Sequence, residues 1–286
     1  MTRKNADKSF EDRKLREVQH SDQRRTIVKA YEYQTDAGAR VREKGLIADK
    51  QSYYKHFSNM KFYSITSASS AYRDSILLEG IEGLTALDYC CGNGEVAVEM
   101  ACKGARLVHG IDLSPVAIEN ARELAKSVGV DAICEFSVMD AEQTDFEDDT
   151  FDIIHEYGAL HHLKLKAAFR ELSRLVKSEG RVVCTETLRH NPFIHLYRKR
   201  TPHLRTKWEV EHILGTPEIM CGLQYFKEVY TRFFHLSAIG AVPFRKKKIF
   251  NGLLSALDAV DSILLRIPYL QRMAWIAVFL YEKPDL

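Results

Sequence analysis

The chain has 286 residues, 45% of them hydrophobic and 28% charged, with 41 Lys plus Arg against 39 Asp plus Glu. An apolar fraction of that size excludes wholesale disorder, and a net charge of +2 argues against a protein built to coat nucleic acid. Six cysteines, Cys90 and Cys91 adjacent and four scattered, without a C-x-x-C pair, argue against a disulfide scaffold or a zinc ribbon, and no metal site is expected. The start lacks the apolar core of a secretory signal, and no uncharged apolar run reaches ~18 residues. The expectation is a soluble, cytoplasmic protein without a membrane span.

Residues 1–50 read as a charged arm, with 12 basic and 8 acidic residues up to Lys44 and few large apolar side chains; a mobile arm or solvated helices are expected. Residues 51–82 read as a helical cap, aromatic-rich and helical over 53–78. From residue 83 to 188 strands and helices alternate. Strands are expected at 84–89, 106–112, 132–138, 151–156 and 181–186, and helices at 96–102, from Ser114-Pro115 onward, and at 166–176. Ser114 suits a helix N-cap and Pro115 the first helical turn, where its missing N–H costs nothing; Gly180 suits the position past a helix end. Residues 189–225 read as an insertion over the carboxyl edge of the sheet. Residues 226–286 read as the end of the sheet, with strands near 229–239 and 274–281 and a helical insertion at 245–270. The fold class is α/β, a doubly wound, seven-stranded, mostly parallel sheet with helical insertions covering its carboxyl edge.

In such a sheet ligands sit outside the carboxyl ends of the strands. Four of those ends carry suggestive residues: Asp88-Tyr89-Cys90-Cys91-Gly92-Asn93-Gly94, then Asp112, then Asp140-Ala141-Glu142, then Glu156 to Leu163. Gly92, Gly94 and Ala97 also satisfy the dinucleotide fingerprint. A carboxylate at position 88 would repel a pyrophosphate, however, and Asp140 adds an adenine contact that fingerprint does not call for. A cationic ligand with adenine, ribose and an amino-acid end fits these ends better.

The segments 86–94, Gly110-Ile111-Asp112-Leu113-Ser114, Asp140-Ala141 and Leu160-His161-His162-Leu163 together resemble class I S-adenosylmethionine-dependent methyltransferases, and most closely the small-molecule branch with ubiquinone-biosynthesis-type enzymes. The resemblance covers about residues 84–186, with one departure: Cys90 stands where the family loop has its first glycine. It implies S-adenosyl-L-methionine as cofactor and S-adenosyl-L-homocysteine as product. By position, Asp88 and the loop Cys90, Gly92 and Gly94 would face the methionine moiety, and Glu156 and Tyr157 would lie beside its amino group. Asp112 would bind the ribose hydroxyls, Leu113 would pack on adenine, and Asp140 and Ala141 would read the adenine edge.

Methyl transfer from a sulfonium asks the protein for orientation, dehydration and, where needed, a base. His161, Glu186 and His190 lie by position near the strand ends and are the candidate catalytic groups. His162, Arg198, His203 and Arg205 are the candidate acceptor-binding groups, the arginines suiting a carboxylate or phosphate. The expected activity is methyl transfer to oxygen or carbon of a small organic acceptor, of secondary-metabolite and anionic character. The alternatives are a cofactor-bound enzyme of cyclisation type on the same fold and, less favoured, a macromolecule methyltransferase. The expected partner is a small molecule and not nucleic acid. The apolar stretch after Arg245-Lys246-Lys247-Lys248 is expected to pack on the pocket or on a second subunit, as in a homodimer, with peripheral contact to an anionic membrane as the alternative.

Overall fold

The computed structural model describes residues 3–27, 32–34, 40–42 and 58–284. Helix α1 (Arg3–Ile27) comes first, then a short antiparallel hairpin of β1 (Glu32–Gln34) and β2 (Arg40–Arg42). Helices α2 (Met60–Tyr63) and α3 (Ser67–Leu77) follow. The helix expected over 53–78 is thus interrupted at residues 64–66, and its first residues lie outside the described ones.

Seven strands make the main sheet: β3 (Thr85–Tyr89), β4 (Leu107–Asp112), β5 (Cys134–Val138), β6 (Phe151–Tyr157), β7 (Val176–Thr187), β8 (Phe226–Phe234) and β9 (Ile276–Pro284). Their order is β5-β4-β3-β6-β7-β9-β8, parallel throughout except for β9, which runs antiparallel between β7 and β8. This is the doubly wound, mostly parallel sheet that the strand–helix alternation predicts. Every residue of β3 is buried, as a central parallel strand covered on both faces requires. Helices α4 (Glu95–Cys102) and α5 (Pro115–Val128) cover one face, where Val98, Met100 and Ile118 meet Ala86 and Val108. Helix α6 (Leu165–Leu175) covers the other, where Phe169 and Leu172 meet Leu87 and Ile154.

Local chemistry sets the helix starts. Ser114 Oγ accepts from the Ala117 N–H at 3.0 Å with Pro115 behind it, and Gly129 ends α5 at φ 80°. Gly94 opens α4 at φ 79°, and a Cβ there would lie 2.7 Å from the Ala121 Cβ, so only glycine lets α4 and α5 approach.

Two expected boundaries move. Gly180 is not a helix stop: α6 ends at Leu175 and β7 begins at Val176. The pairing then steps from Phe151–Val176 to Ile153–Arg181, so the intervening residues leave the ladder. A Cβ on Gly180 would sit 2.9 Å from the Asp152 carbonyl, which explains the glycine. The strand expected to reach 239 stops at Phe234, because His235 adopts φ 63° and the Asp261 carboxylate accepts from the N–H groups of Leu236, Ser237 and Ala238.

The segment after β7 folds into α7 (Pro192–Arg200), α8 (Lys207–His212) and α9 (Thr216–Met220); α10 (Phe250–Leu264) and α11 (Pro268–Gln271) lie between β8 and β9. A third cluster, with Ile65, Ile194, Leu254 and Trp275, joins these helices to the outer end of the sheet.

Candidate active site

One cavity of about 370 Å³ opens at the carboxyl ends of β3 to β7. Cys90 follows β3, Asp112 and Leu113 end β4, Met139 to Glu142 follow β5, Tyr157 ends β6, and Thr185 to Thr187 end β7; all line it. The Asp112 carboxylate accepts from Gly92 N–H at 3.0 Å and from Ser114 N–H at 2.9 Å, which pins the β3 loop against the start of α5. Asp140 accepts from Glu142 N–H at 3.0 Å and turns the chain after β5. Asp112 and Asp140 therefore face one space, with Leu113, Met139 and Ala141 as its apolar lining.

Four residues expected at the methionine end do not line the cavity. Asp88 is 3% exposed and does not line the cavity; it accepts from Ala97 N–H at 3.0 Å and holds His155 Nδ1 at 2.8 Å. Its work is to cap α4 and anchor β6 to β3. Glu156 is fully buried behind the wall, accepting from Leu160 N–H at 3.2 Å and from Ala159 N–H. Burial, then the adjacent Glu186, push its carboxyl well above the usual range. Gly94 packs on Ala121 and Phe136, away from the cavity. Gly92 lies just behind Asp112, and a Cβ there would reach 2.8 Å from the Arg25 guanidinium. Cys90, Tyr157, Leu113 and Ala141 do line the cavity.

On the far side of the cavity His161 Nδ1 holds Glu186 Oε2 at 2.8 Å, and Glu186 Oε1 also accepts from the His161 N–H at 3.3 Å. His161 Nε2 faces Glu209 Oε1 at 4.0 Å. Arg198 donates to the Leu188 carbonyl at 2.8 Å and to Thr187 Oγ1 at 3.0 Å, both uncharged acceptors. Arg205 reaches Glu209 at 3.3 Å. Burial, and then Arg205 beside it, lower Arg198 to about 10. Phe62, Tyr63, Ile194, Leu204 and Trp275 form the apolar wall. Thr185 Oγ1 and Asn59 Oδ1 line the same space, buried and without a hydrogen-bond partner among the described residues.

Two expected residues fall outside. His190 is exposed and accepts from Arg189 Nε at 3.1 Å; the Asn191 side chain, capping α7 through Phe193 and Ile194 N–H, turns the chain away just after it. His203 is exposed because Leu204, its neighbour in a short turn of helix, is the residue that points inward, at 3% exposure. His162 is in the lining, but its Nδ1 holds Glu17 at 2.8 Å, so it anchors α1.

Helix α1 closes the cavity. The expected solvated arm instead sets Lys14 on Asp140, Arg13 on Glu142, Asp22 on Ser114 Oγ and Arg25 3.9 Å from Asp112. Glu17 accepts from Thr206 Oγ1 at 2.7 Å and so ties α1 to the insertion as well. His20 and Arg24 complete this wall. Sequence reasoning missed all of these and also Glu209. The one available signal for Glu209 was Thr206 three residues before it, a capping pattern that the structure shows as Glu209 N–H donating to Thr206 Oγ1 at 3.1 Å.

Residues 86–180 match the family described as a methyltransferase domain. Over this stretch the chain is similar to methyltransferase domains. A sterol 4-C-methyltransferase of Caenorhabditis elegans is 27% identical over 143 residues, 50% of this chain and 42% of the relative. A ubiquinone biosynthesis O-methyltransferase of Alkalilimnicola ehrlichii is 36% identical over 121 residues, 42% of this chain and 48% of the relative. The chain thus spans about half the length of these curated relatives. Among solved structures, the [4+2]-cyclase SpnF superposes with a TM-score of 0.53 at 16% identity, covering 82% of this chain and 95% of that one, a likeness of fold. Among the described residues no helix is long and apolar enough to cross a membrane.

Proposed function

We propose that this methyltransferase domain binds S-adenosylmethionine and moves a methyl group to oxygen or carbon of a small anionic acceptor. One observation carries the reading: Asp112 and Asp140, from the ends of adjacent strands, face the same cavity as a His161–Glu186 pair. The residues present fit the cofactor. Asp112 is oriented by two backbone N–H groups and can accept from two ribose hydroxyls. Asp140 and Ala141 can meet the adenine edge between Leu113 and Met139. The loop at Cys90 supports the methionine end from behind, with Asp88 acting only through the cap of α4. When bound, the cofactor supplies an electrophilic methyl group.

His161 is the base that the geometry favours. Its Nδ1–H donates to Glu186, which leaves the Nε2 lone pair on the Glu209 side of the cavity to take the acceptor's proton. Glu186 fixes the tautomer, and behind it stands Glu156, a carboxyl that burial pushes well above the usual range. Arg198 and Arg205 hold the acceptor's anionic group, Thr185 Oγ1 and Asn59 Oδ1 can accept from a hydroxyl elsewhere on the acceptor, and the apolar wall takes the rest and excludes water. The free cysteines fit a reducing, cytoplasmic setting, and the acceptor is a small molecule without nucleic acid.

The test is a screen of anionic small acceptors with labelled cofactor. S-adenosylhomocysteine should accumulate in a one-to-one ratio with methylated product. Product formed without it would replace methyl transfer by a conversion of cyclisation type on the same fold.

A further inference from the structure

Helix α10 and the turns around it carry an apolar stripe on the wrong side for a core. Its inner residues Leu253, Leu254 and Leu257 pack on the cluster of Ile65, Ile194 and Trp275. Its outer residues Ile249, Val260, Ile263 and Ile267 recur at helical spacing and are exposed, Ile263 by 66%, with Tyr269 exposed by 73% just beyond. Between them stand Gly252, Ala256 and Ala259, also exposed, which leave the stripe flat. The helix has 15 residues, so the stripe is roughly 20 Å long.

The charges around this stripe have one sign. Arg245, Lys246, Lys247 and Lys248 are exposed at its amino end, and Arg266 and Arg272 at its carboxyl end. From 244 to 273 the acidic residues are Asp258, which is only partly exposed, and Asp261, which is buried. Asp261 is 4% exposed and caps the segment after β8, and Asp258 turns toward His235 at 3.8 Å.

We infer that this face docks on an anionic lipid surface. Cations at both ends rule against a second copy: self-packing of the stripe, parallel or antiparallel, sets cation on cation at each end, within the ~8 Å screening length of physiological salt. An anionic bilayer meets both demands, because the stripe enters the headgroup boundary while the long lysine and arginine side chains reach the phosphates. Ile194 and Trp275 beneath the helix also line the cavity, so docking sets the apolar wall of the site about one helix diameter from the lipid. The inference rests on the surface alone and stands whether or not the domain methylates the proposed acceptor.

The experiment is cosedimentation of the full chain with vesicles of phosphatidylcholine alone or with a third phosphatidylserine. Binding should be at least tenfold stronger to the anionic vesicles and should fall at least tenfold in 0.5 M salt. Lys246→Gln/Lys247→Gln/Lys248→Gln and, separately, Ile263→Ser/Ile267→Ser should each weaken it at least fivefold, with thermal stability and affinity for S-adenosylhomocysteine unchanged. Equal binding to both vesicles, binding to neither, or a dimer in sedimentation that Ile263→Ser/Ile267→Ser dissolves would overturn the inference.

Discussion

His161 shows how much one side chain depends on its neighbours. An imidazole takes up a proton efficiently only in the right tautomer, and the 2.8 Å contact from Nδ1 to Glu186 selects it. Behind Glu186 lies a second buried carboxyl, Glu156, which burial and then Glu186 push well above the usual range. Once an acceptor is identified, His161→Ala should lower kcat by about 10²–10⁴ and leave affinity for S-adenosylhomocysteine within twofold, read by steady-state kinetics and calorimetry. Glu186→Gln should fall in the same direction by less. A wild-type rate in His161→Ala would move the base elsewhere, and His190 is not the heir, since it faces solvent.

At the scale of the element, α1 behaves unlike an ordinary helix. It is polar on all sides, rich in good helix-forming Arg, Lys, Glu and Gln, and is held in place by charge pairs. The Glu17–His162 pair makes its docking depend on pH. Burial alone would lower His162, but the hydrogen bond to Glu17 and the nearby Glu209 and Glu186 outweigh it and raise the group above 6.5. Burial alone would raise Glu17, but the bond and charge of His162 and the Thr206 hydroxyl outweigh it and lower the group below 4.5. The His162 contribution is therefore complete below pH 6.5 and is lost as pH rises through its raised value. The Glu17 contribution is complete above pH 4.5 and is lost as pH falls through its lowered value. Hydrogen exchange of the amides of residues 12–26, corrected for intrinsic rate, should be slowest between pH 4.5 and 6.5 and should quicken toward pH 9. His162→Gln should remove that dependence; exchange flat with pH in the unmodified protein would show that the pair does not hold the helix.

At the scale of the whole molecule, the sheet and the placing of Asp112 and Asp140 at its carboxyl edge could be read from the sequence because their signals are local. Buried strands are runs of apolar residues, Ser114-Pro115 announces a helix, and Asp112 and Asp140 stand at strand ends whatever else happens. The acceptor half could not be read that way. His161, His190 and His203 look alike in sequence, and only a cap at Asn191 or an inward Leu204 decides which of them turns into the cavity. Helix α1 was illegible for a related reason. Its partners Asp140, Glu142 and His162 lie more than a hundred residues away, and a helix without an apolar face shows no periodicity to announce where it packs. Asp88 is ambiguous in sequence because capping a helix and facing a ligand both put an acid at a strand end.

The account turns on two strand-end carboxylates holding one adenosyl group. Titration calorimetry of the full chain with S-adenosylhomocysteine tests this most directly. Hydrogen bonds to a charged group contribute about 1.5–3 kcal/mol each, so Asp112→Ala should weaken binding at least tenfold, and Asp140→Ala should weaken it by a smaller factor while releasing Lys14. Affinity unchanged in Asp112→Ala, with the variant still folded, would contradict it.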